Sequence, residues 1–448
     1  MHEEMSADLW NSAVRVLETN WTGHHMVPSR RLYPHQWSWD AAFIAIGLAY
    51  ANPGRAWRDL RSLFEAQWAD GRVPHIVFDP ATAEEDYFPG PAFWDVPGRG
   101  STGIVQPPMH AVAAWEVYRH AAAHGADSAL QARIELEWLY PRLVAQQDYL
   151  TGSRNLGGAG LACIVHPWES GLDNSPGWDA ALAGVPADPD LLSTYRRRDL
   201  ANADAAHRPT DLDYSRYVGL VLNYRAEGYS DEGLLSRHTF AVECPAFNAI
   251  LGTAELALAQ IAGELGRAAE ATTHRERAHR ITAAIAERLW DPRTRTFHCR
   301  DLRTDRLSPL HCVSGLLPLM LPDLAADQVE AVLGQARSAR FGLPEQTGLP
   351  APSYDRTAPE FDTLRYWRGP VWINVNWLLR RGLLVHGFRD EAEDLRTAMV
   401  RLVHRNGHFE YFHPATGEGL GAPTFSWTAA LSLDLLADRS VPAYARAA

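Results

Sequence analysis

ECPAFNAILGTAELALAQIAGELGRAAEATTHRERAHRITAAIAERL, residues 243–289, decides the fold class. Apolar residues recur at helical spacing over 243–264 and again over 268–289, with only Leu265 to Arg267 between the two runs. That is a tightly joined pair of helices. Outward from it the same spacing covers 5–19, 39–51, 55–68, 104–124, 126–151, 310–319, 324–336, 370–385, 387–404 and 425–437, which predicts about twelve helices. Strand-like alternation is confined to short pieces such as 295–299 and 408–412, so the class is all-α. Paired helices either stack as an open solenoid or close into a ring. An open array shows a fixed-period repeat with polar caps, and none is visible at 34 to 45 residues. A closed toroid is therefore expected, as one domain over residues 1–448.

The connections are unequal. Segments 69–103, 152–209 and 338–369 are long, rich in Pro and Gly, and full of aromatics and acids. Long ordered loops on a rigid scaffold usually carry function, so these are expected to build the site on one face. Residues 174–240 read as an insertion in that domain, and 174–209 as a cap or lid over the site.

Composition removes several function classes. A net charge of −12 argues against a nucleic-acid partner, which needs a basic stripe to displace counterions; the one dense basic run is Arg196-Arg197-Arg198. None of the 42 basic residues is lysine, which excludes Schiff-base and pyridoxal-phosphate chemistry and a P-loop. Cys163, Cys244, Cys299 and Cys312 lack CxxC spacing, so buried thiols are expected rather than a zinc or redox site. No cofactor or metal is expected, and chelation should leave activity intact. The N-terminus MHEEMSADLWNSAVRVLETNW has no apolar signal core, and no later run of about 18 apolar residues stands out, so neither a membrane partner nor an address outside the cytoplasm is expected. Oligomeric state stays open. Sixteen tryptophans outnumber both Phe and Tyr and cluster beside acids, a pairing that suits a small carbohydrate, although tryptophan is also a routine core residue.

Four segments concentrate carboxylates and aromatics: 33–40 (YPHQWSWD), 166–176 (HPWESGLDNSP), 366–374 (YWRGPVWIN) and 407–413 (GHFEYFH). Taken singly, each has a plain structural reading: Asp40 as a first-turn helix acid, Asp173 as a turn residue, Arg368 as an ion-pair partner, Glu410 as a hairpin-surface carboxylate. Together they resemble the family-63 glycoside hydrolases, in the compact group of mannosylglycerate and glucosylglycerate hydrolases. The resemblance runs in order from Tyr33 to Leu436 and rests on QWSWD, HPWESGLDNSP, YWRGPVW and EYFHPATGEGLGAPTFSWTAA.

The resemblance implies an (α/α)6 barrel and an inverting hydrolysis of a small α-glycoside, with Asp173 as general acid and Glu410 as general base. Glu418 competes for the second role, and the EY pair favours Glu410. It further implies that Tyr33, Trp37, Trp39, Asp40, Trp168, Gly171, Trp367 and Trp372 surround the innermost sugar, and that Tyr87, Gln106, Arg208, Tyr214 and Tyr366 face the leaving group. If that group is glycerate, its carboxylate needs a cation, for which Arg208 and Arg216 are candidates alongside a structural use of either. Inversion calls for carboxyls roughly 6.5–9.5 Å apart with a water between them, which sequence neighbours such as Glu169 and Asp173 do not offer. The acid must be protonated, and desolvation by Trp168 would serve that; Asp40 would grip sugar hydroxyls. A sugar epimerase with paired histidines, an inverting phosphorylase and a non-catalytic sugar-binding protein are the alternatives.

Overall fold

The computed structural model describes residues 2–98, 100–188, 190, 191, 195, 197 and 205–437. Its long helices are α1 (His2–Thr19), α2 (Ser38–Ala51), α3 (Pro53–Glu65), α4 (His110–Ala122), α5 (Ala126–Gly152), α6 (Asp211–Ala226), α7 (Pro245–Glu264), α8 (Ala268–Arg288), α9 (Ala326–Arg337), α10 (Ile373–Val385), α11 (Arg389–Asn406) and α12 (Ser426–Leu436). A 3-10 segment, Val313–Met320, lies where 310–319 reads as an α-helix. Two local facts explain the tighter winding. Pro318 has no N–H to donate, and Gly315 lies so close to the Phe297 carbonyl that an added Cβ would fall 2.4 Å from its oxygen.

Packing orders these elements into two concentric rings. α2 neighbours α4, α4 neighbours α7, α7 the 3-10 segment, that segment α10, α10 α12, and α12 returns to α2. Outside them sit α3 on α2, α5 on α4, α8 on α7, α9 on the 3-10 segment, α11 on α10, and α1 on α12. This is an (α/α)6 barrel whose last inner helix is backed by its first outer one. Amphipathicity sorts the rings: α2 is buried without a break from Ser38 to Ala49 and α10 from Ile373 to Leu384, whereas α3 and α8 keep an exposed polar face. Glycine allows the closest approaches, since a Cβ on Gly47 of α2 would lie 2.3 Å from the Ala430 Cα of α12.

Short strands lead into the ring on one face. β1 (Gln36–Trp37) pairs antiparallel with β2 (Ile76–Val77) just before α2. β3 (Cys163–Ile164) pairs with β4 (Val242–Glu243), the latter just before α7. A hairpin of β5 (Tyr411–Phe412) and β6 (Gly419–Leu420), in the register Phe412 to Gly419, lies between α11 and α12.

Within 174–240, α6 is a full helix that sequence reading folded into an insertion. Thr210 caps it by accepting from the Asp213 N–H at 3.1 Å, and it buries Tyr214, Tyr217, Val218, Leu220, Val221 and Tyr224. Residues 189, 192–194, 196 and 198–204 of the cap reading lie outside the described residues. All four cysteines are free and buried, as expected. Among the described residues one helix, α7, is long and apolar enough to cross a membrane, with a mean hydropathy of 1.2. Most of it is buried within the ring, and it carries Asn248, Thr253 and Glu255.

Candidate active site

The segment 163–175 is held from below by a buried ion pair. Arg154 donates two hydrogen bonds to Glu169, at 2.7 and 2.8 Å, with both side chains fully enclosed. The Val105 and Val165 N–H groups also donate to Glu169, at 3.2 and 2.7 Å. Gly171 then turns the chain at φ +68°, where a Cβ would press on the Trp39 ring at 3.0 Å, so only glycine fits. Asp173 follows. Its backbone carbonyl accepts from the Tyr217 hydroxyl at 3.1 Å, and Asn174 Oδ1 accepts from the Trp367 N–H at 2.9 Å, docking this turn against 366–372.

Glu410 immediately precedes β5 and is 1% exposed, which removes the hairpin-surface reading. Oε1 accepts from the hydroxyls of Tyr33 at 2.8 Å and Tyr366 at 3.2 Å, and Oε2 accepts from the Ala422 N–H at 3.0 Å. Burial pushes both tyrosines well above their ordinary pKa, so each stays a neutral donor. Arg208 Nη1 donates to the Tyr33 hydroxyl at 2.9 Å, and its Nη2 lies 3.6 Å from Glu410 Oε2. Gly421, at φ +71°, gives way to the carboxylate: a Cβ there would fall 2.4 Å from Oε2.

Two adjoining chambers share part of their lining at this point. The inner one is lined by Pro28, Tyr33, Trp37, Trp39, Asp40, Gln106, Gly171, Asp173, Tyr366, Trp367, Glu410, Phe425 and Trp427. The outer one, about 610 Å3, shares Tyr33, Trp37, Asp173 and Tyr366 with it and adds Arg30, Arg31, His75, Tyr87, Phe88, Trp168, Arg208 and Tyr214, among others. Those four shared residues form the neck. Asp173 lies at the neck, while Glu410 lines only the inner chamber. Burial, then the charges of Glu410 and Asp173, push the Asp40 carboxyl well above the usual carboxylate range.

Most residues named from sequence converge here, with four differences of place. Arg216 lines neither chamber. It donates to the Val185 carbonyl at 3.2 Å and pairs with Asp213 at 3.4 Å, one turn earlier on α6, which is the structural use. Trp372 is buried behind Trp367, stacked at 3.8 Å and 5°, so it supports that ring rather than lining the chamber. Gln106 lines the inner chamber instead of the leaving-group side, because its Oε1 accepts the Trp39 N–H at 3.1 Å. Trp168 lines the outer chamber, stacked on His75 at 6.2 Å. Glu418, the competitor set aside in favour of Glu410, is exposed at the hairpin turn, away from both chambers.

Sequence reading passed over Phe425, Trp427 and Pro28 inside, and Arg30, Arg31, His75 and Phe88 outside. The FSW triplet that opens α12 was the available signal for the first two; a single proline, histidine or arginine pair offers none. His75 is the only histidine lining either chamber among the described residues, and burial holds it well below its ordinary pKa. No pair of histidines faces the cavity as an epimerase would require.

The sequence profile of the mannosylglycerate hydrolase MGH1-like glycoside hydrolase domain matches residues 33–428. The chain is 42% identical over 438 residues to a mannosylglycerate hydrolase of Rubrobacter radiotolerans, covering 96% of this chain and 97% of that one. It is 36% identical over 435 residues to a glucosylglycerate hydrolase of Mycolicibacterium hassiacum, covering 95% and 96%. The crystal structure of the GH63 mannosylglycerate hydrolase of Thermus thermophilus in complex with Tris and D-glycerate is similar with a TM-score of 0.87 at 37% identity, covering 95% of this chain and 99% of that one.

Proposed function

The chain belongs to the mannosylglycerate hydrolase MGH1-like glycoside hydrolases, and from that membership we propose that Asp173 is the general acid and Glu410 the general base of an inverting hydrolysis of glucosylglycerate or mannosylglycerate. The products are free sugar and glycerate. One observation carries the assignment: Asp173 borders both chambers, whereas Glu410 borders only the inner one. With the sugar inside and glycerate outside, the bond to be broken spans the neck, beside Asp173. A proton from its carboxyl goes to the glycosidic oxygen as the C–O bond breaks. Glu410 takes a proton from a water that attacks the anomeric carbon from the other side.

The surroundings of Glu410 suit that part. Tyr33, Tyr366 and the Ala422 N–H all donate to it, so its oxygens are oriented and act as acceptors. Trp37, Trp39, Trp367, Phe425 and Trp427 offer flat apolar faces to one sugar ring, and Asp40 and Gln106 offer polar groups to its hydroxyls. On the leaving-group side, Arg208 Nε and Nη2 are buried without a hydrogen-bond partner among the described residues, which suits the glycerate carboxylate. Tyr87 and Tyr214 border the same space. A phosphorylase would have to bring phosphate into an inner chamber beside Glu410, whose carboxylate in the base role disfavours an anion there.

Incubation of the purified protein with both glycosides, with the anomer released followed by NMR, tests the reading. Asp173→Asn and Glu410→Gln should each lower kcat by about 10²–10⁴-fold with a much smaller change in KM. For Asp173→Asn the loss should shrink on an aryl glycoside whose phenol leaves without protonation. Wild-type turnover of both glycerate glycosides by Asp173→Asn would eliminate the assignment.

A further inference from the structure

The outer chamber has more cationic wall than one carboxylate calls for. Arg208 stands beside the neck, yet the lining also includes Arg30 and Arg31, adjacent residues in a chain of net charge −12. Its volume of about 610 Å3 falls in the range that takes a drug-sized ligand, well beyond a three-carbon acid. The two arginines are held differently. Arg30 is tied to the end of α1, donating from Nε to the Thr19 carbonyl at 2.9 Å and from Nη2 to the Trp21 carbonyl at 2.6 Å. Arg31 is exposed and makes no hydrogen bond or ion pair with any described residue. A fixed neighbour therefore carries a free guanidinium at the chamber wall.

We propose that Arg31, beside Arg30, is a second anion contact, and that the chain prefers glycosides whose acidic aglycone carries a second anionic group such as a phosphate ester. This rests on the hydrolase reading given above and extends its substrate class. Arg208 takes the carboxylate, and Arg31 meets the phosphate with the paired N–H geometry that guanidinium offers to phosphate oxygens. The chemistry is unchanged. Water supplies the hydroxyl to the anomeric carbon, Asp173 protonates the departing oxygen, and the phosphate ester stays intact. Asp86 lines the same chamber and is exposed, so it opposes a second anion through screened repulsion.

The test compares kcat/KM for α-glucosylglycerate with that for the same compound phosphorylated on the primary hydroxyl of its glycerate, at low salt. Wild type should favour the phosphorylated compound by about fivefold, a size set by one partly exposed charge pair. Arg31→Ala should bring the ratio to about one, Arg31→Glu below one, and Asp86→Asn above the wild-type value. A wild-type ratio of one or less overturns the proposal. So does a ratio that Arg31→Ala leaves unchanged, the result expected if Arg31 serves only the separate cleft it also borders with Ala422 to Thr424. No turnover of either compound would bring down the glycerate reading itself, and this one with it.

Discussion

Asp59 shows how far a single buried group reaches. Its side chain is fully enclosed; Oδ1 accepts from the Met26 N–H and from Gln36 Nε2, each at 2.8 Å, while Oδ2 has no partner. Burial pushes the carboxyl up to about 7, against the pull of those two donors. A carboxyl whose pKa is higher folded than unfolded stabilises the protein fully below the unfolded value, and loses that contribution as pH rises through the folded one. The window thus runs from about pH 4 to about pH 7 and holds on the order of 4 kcal/mol. Asp59→Asn should match wild type in thermal midpoint at pH 4 and exceed it by several degrees at pH 8; an equal gap at both values would mean that the group stays ionised. Gln36 precedes Trp37, so the same titration should loosen one wall of the neck. In the sequence, Asp59 is one acid among many on a helical face, and nothing marks it. That Asp173 and Glu410 border one cavity was legible because each lies in a motif several residues long. Arg216 was misplaced for the opposite reason: an arginine in YSRY reads alike whether it meets a ligand or the acid one turn away.

The segment that carries Asp173 depends on a device with no local signature. Arg154 lies two residues beyond the end of α5, and Glu169 sits four residues before Asp173. Their pair is extended by Asp231, which accepts from Arg154 Nε at 3.0 Å and lies 3.1 Å from Arg72. A buried ion pair contributes little net stability, yet breaking one side of it strands a charge. Glu169→Gln should therefore cost about 3–5 kcal/mol and lower kcat by releasing the turn that presents Asp173. Arg154→Met with Glu169→Leu should cost less than the two single changes summed; strict additivity in thermal midpoints would show that the two charges do not depend on each other. Most helices around this device were legible to within a few residues, because apolar spacing is written along each of them; the run read from 104 becomes helix only at His110. The exceptions are physical. α6 is buried on tyrosines and short apolar residues inside a polar stretch, and Val313–Met320 is wound tighter by Pro318 and by the carbonyl packed on Gly315.

At the scale of the whole molecule, ring closure and the site are one arrangement. Residues at the N-terminal ends of α2 and α12 line the inner chamber, and Gln106 and Trp367 join them from the loops that lead into α4 and α10. Closure itself rests on the contact between the second helix of the chain and the last, where Gly47 meets the Ala430 backbone. Trp39 and Asp40 ride on one of these helices and Trp427 on the other. A methyl group at position 47 would lie 2.3 Å from both the Cα and the carbonyl oxygen of Ala430. Backbone cannot swing aside as a side chain does, so Gly47→Ala has to part the two helices. The expected cost is that of overpacking, about 1–3 kcal/mol, with a fall in kcat/KM as the aromatic walls separate. Gly263→Ala on α7 is the matched control: a Cβ there meets nothing within 4 Å, and the substitution should raise stability by about 0.4–1 kcal/mol while leaving turnover alone. Thermal midpoints and kcat/KM for the two variants decide the matter. Equal behaviour would mean that the ring is not held shut at this contact, and that the inner chamber does not depend on it.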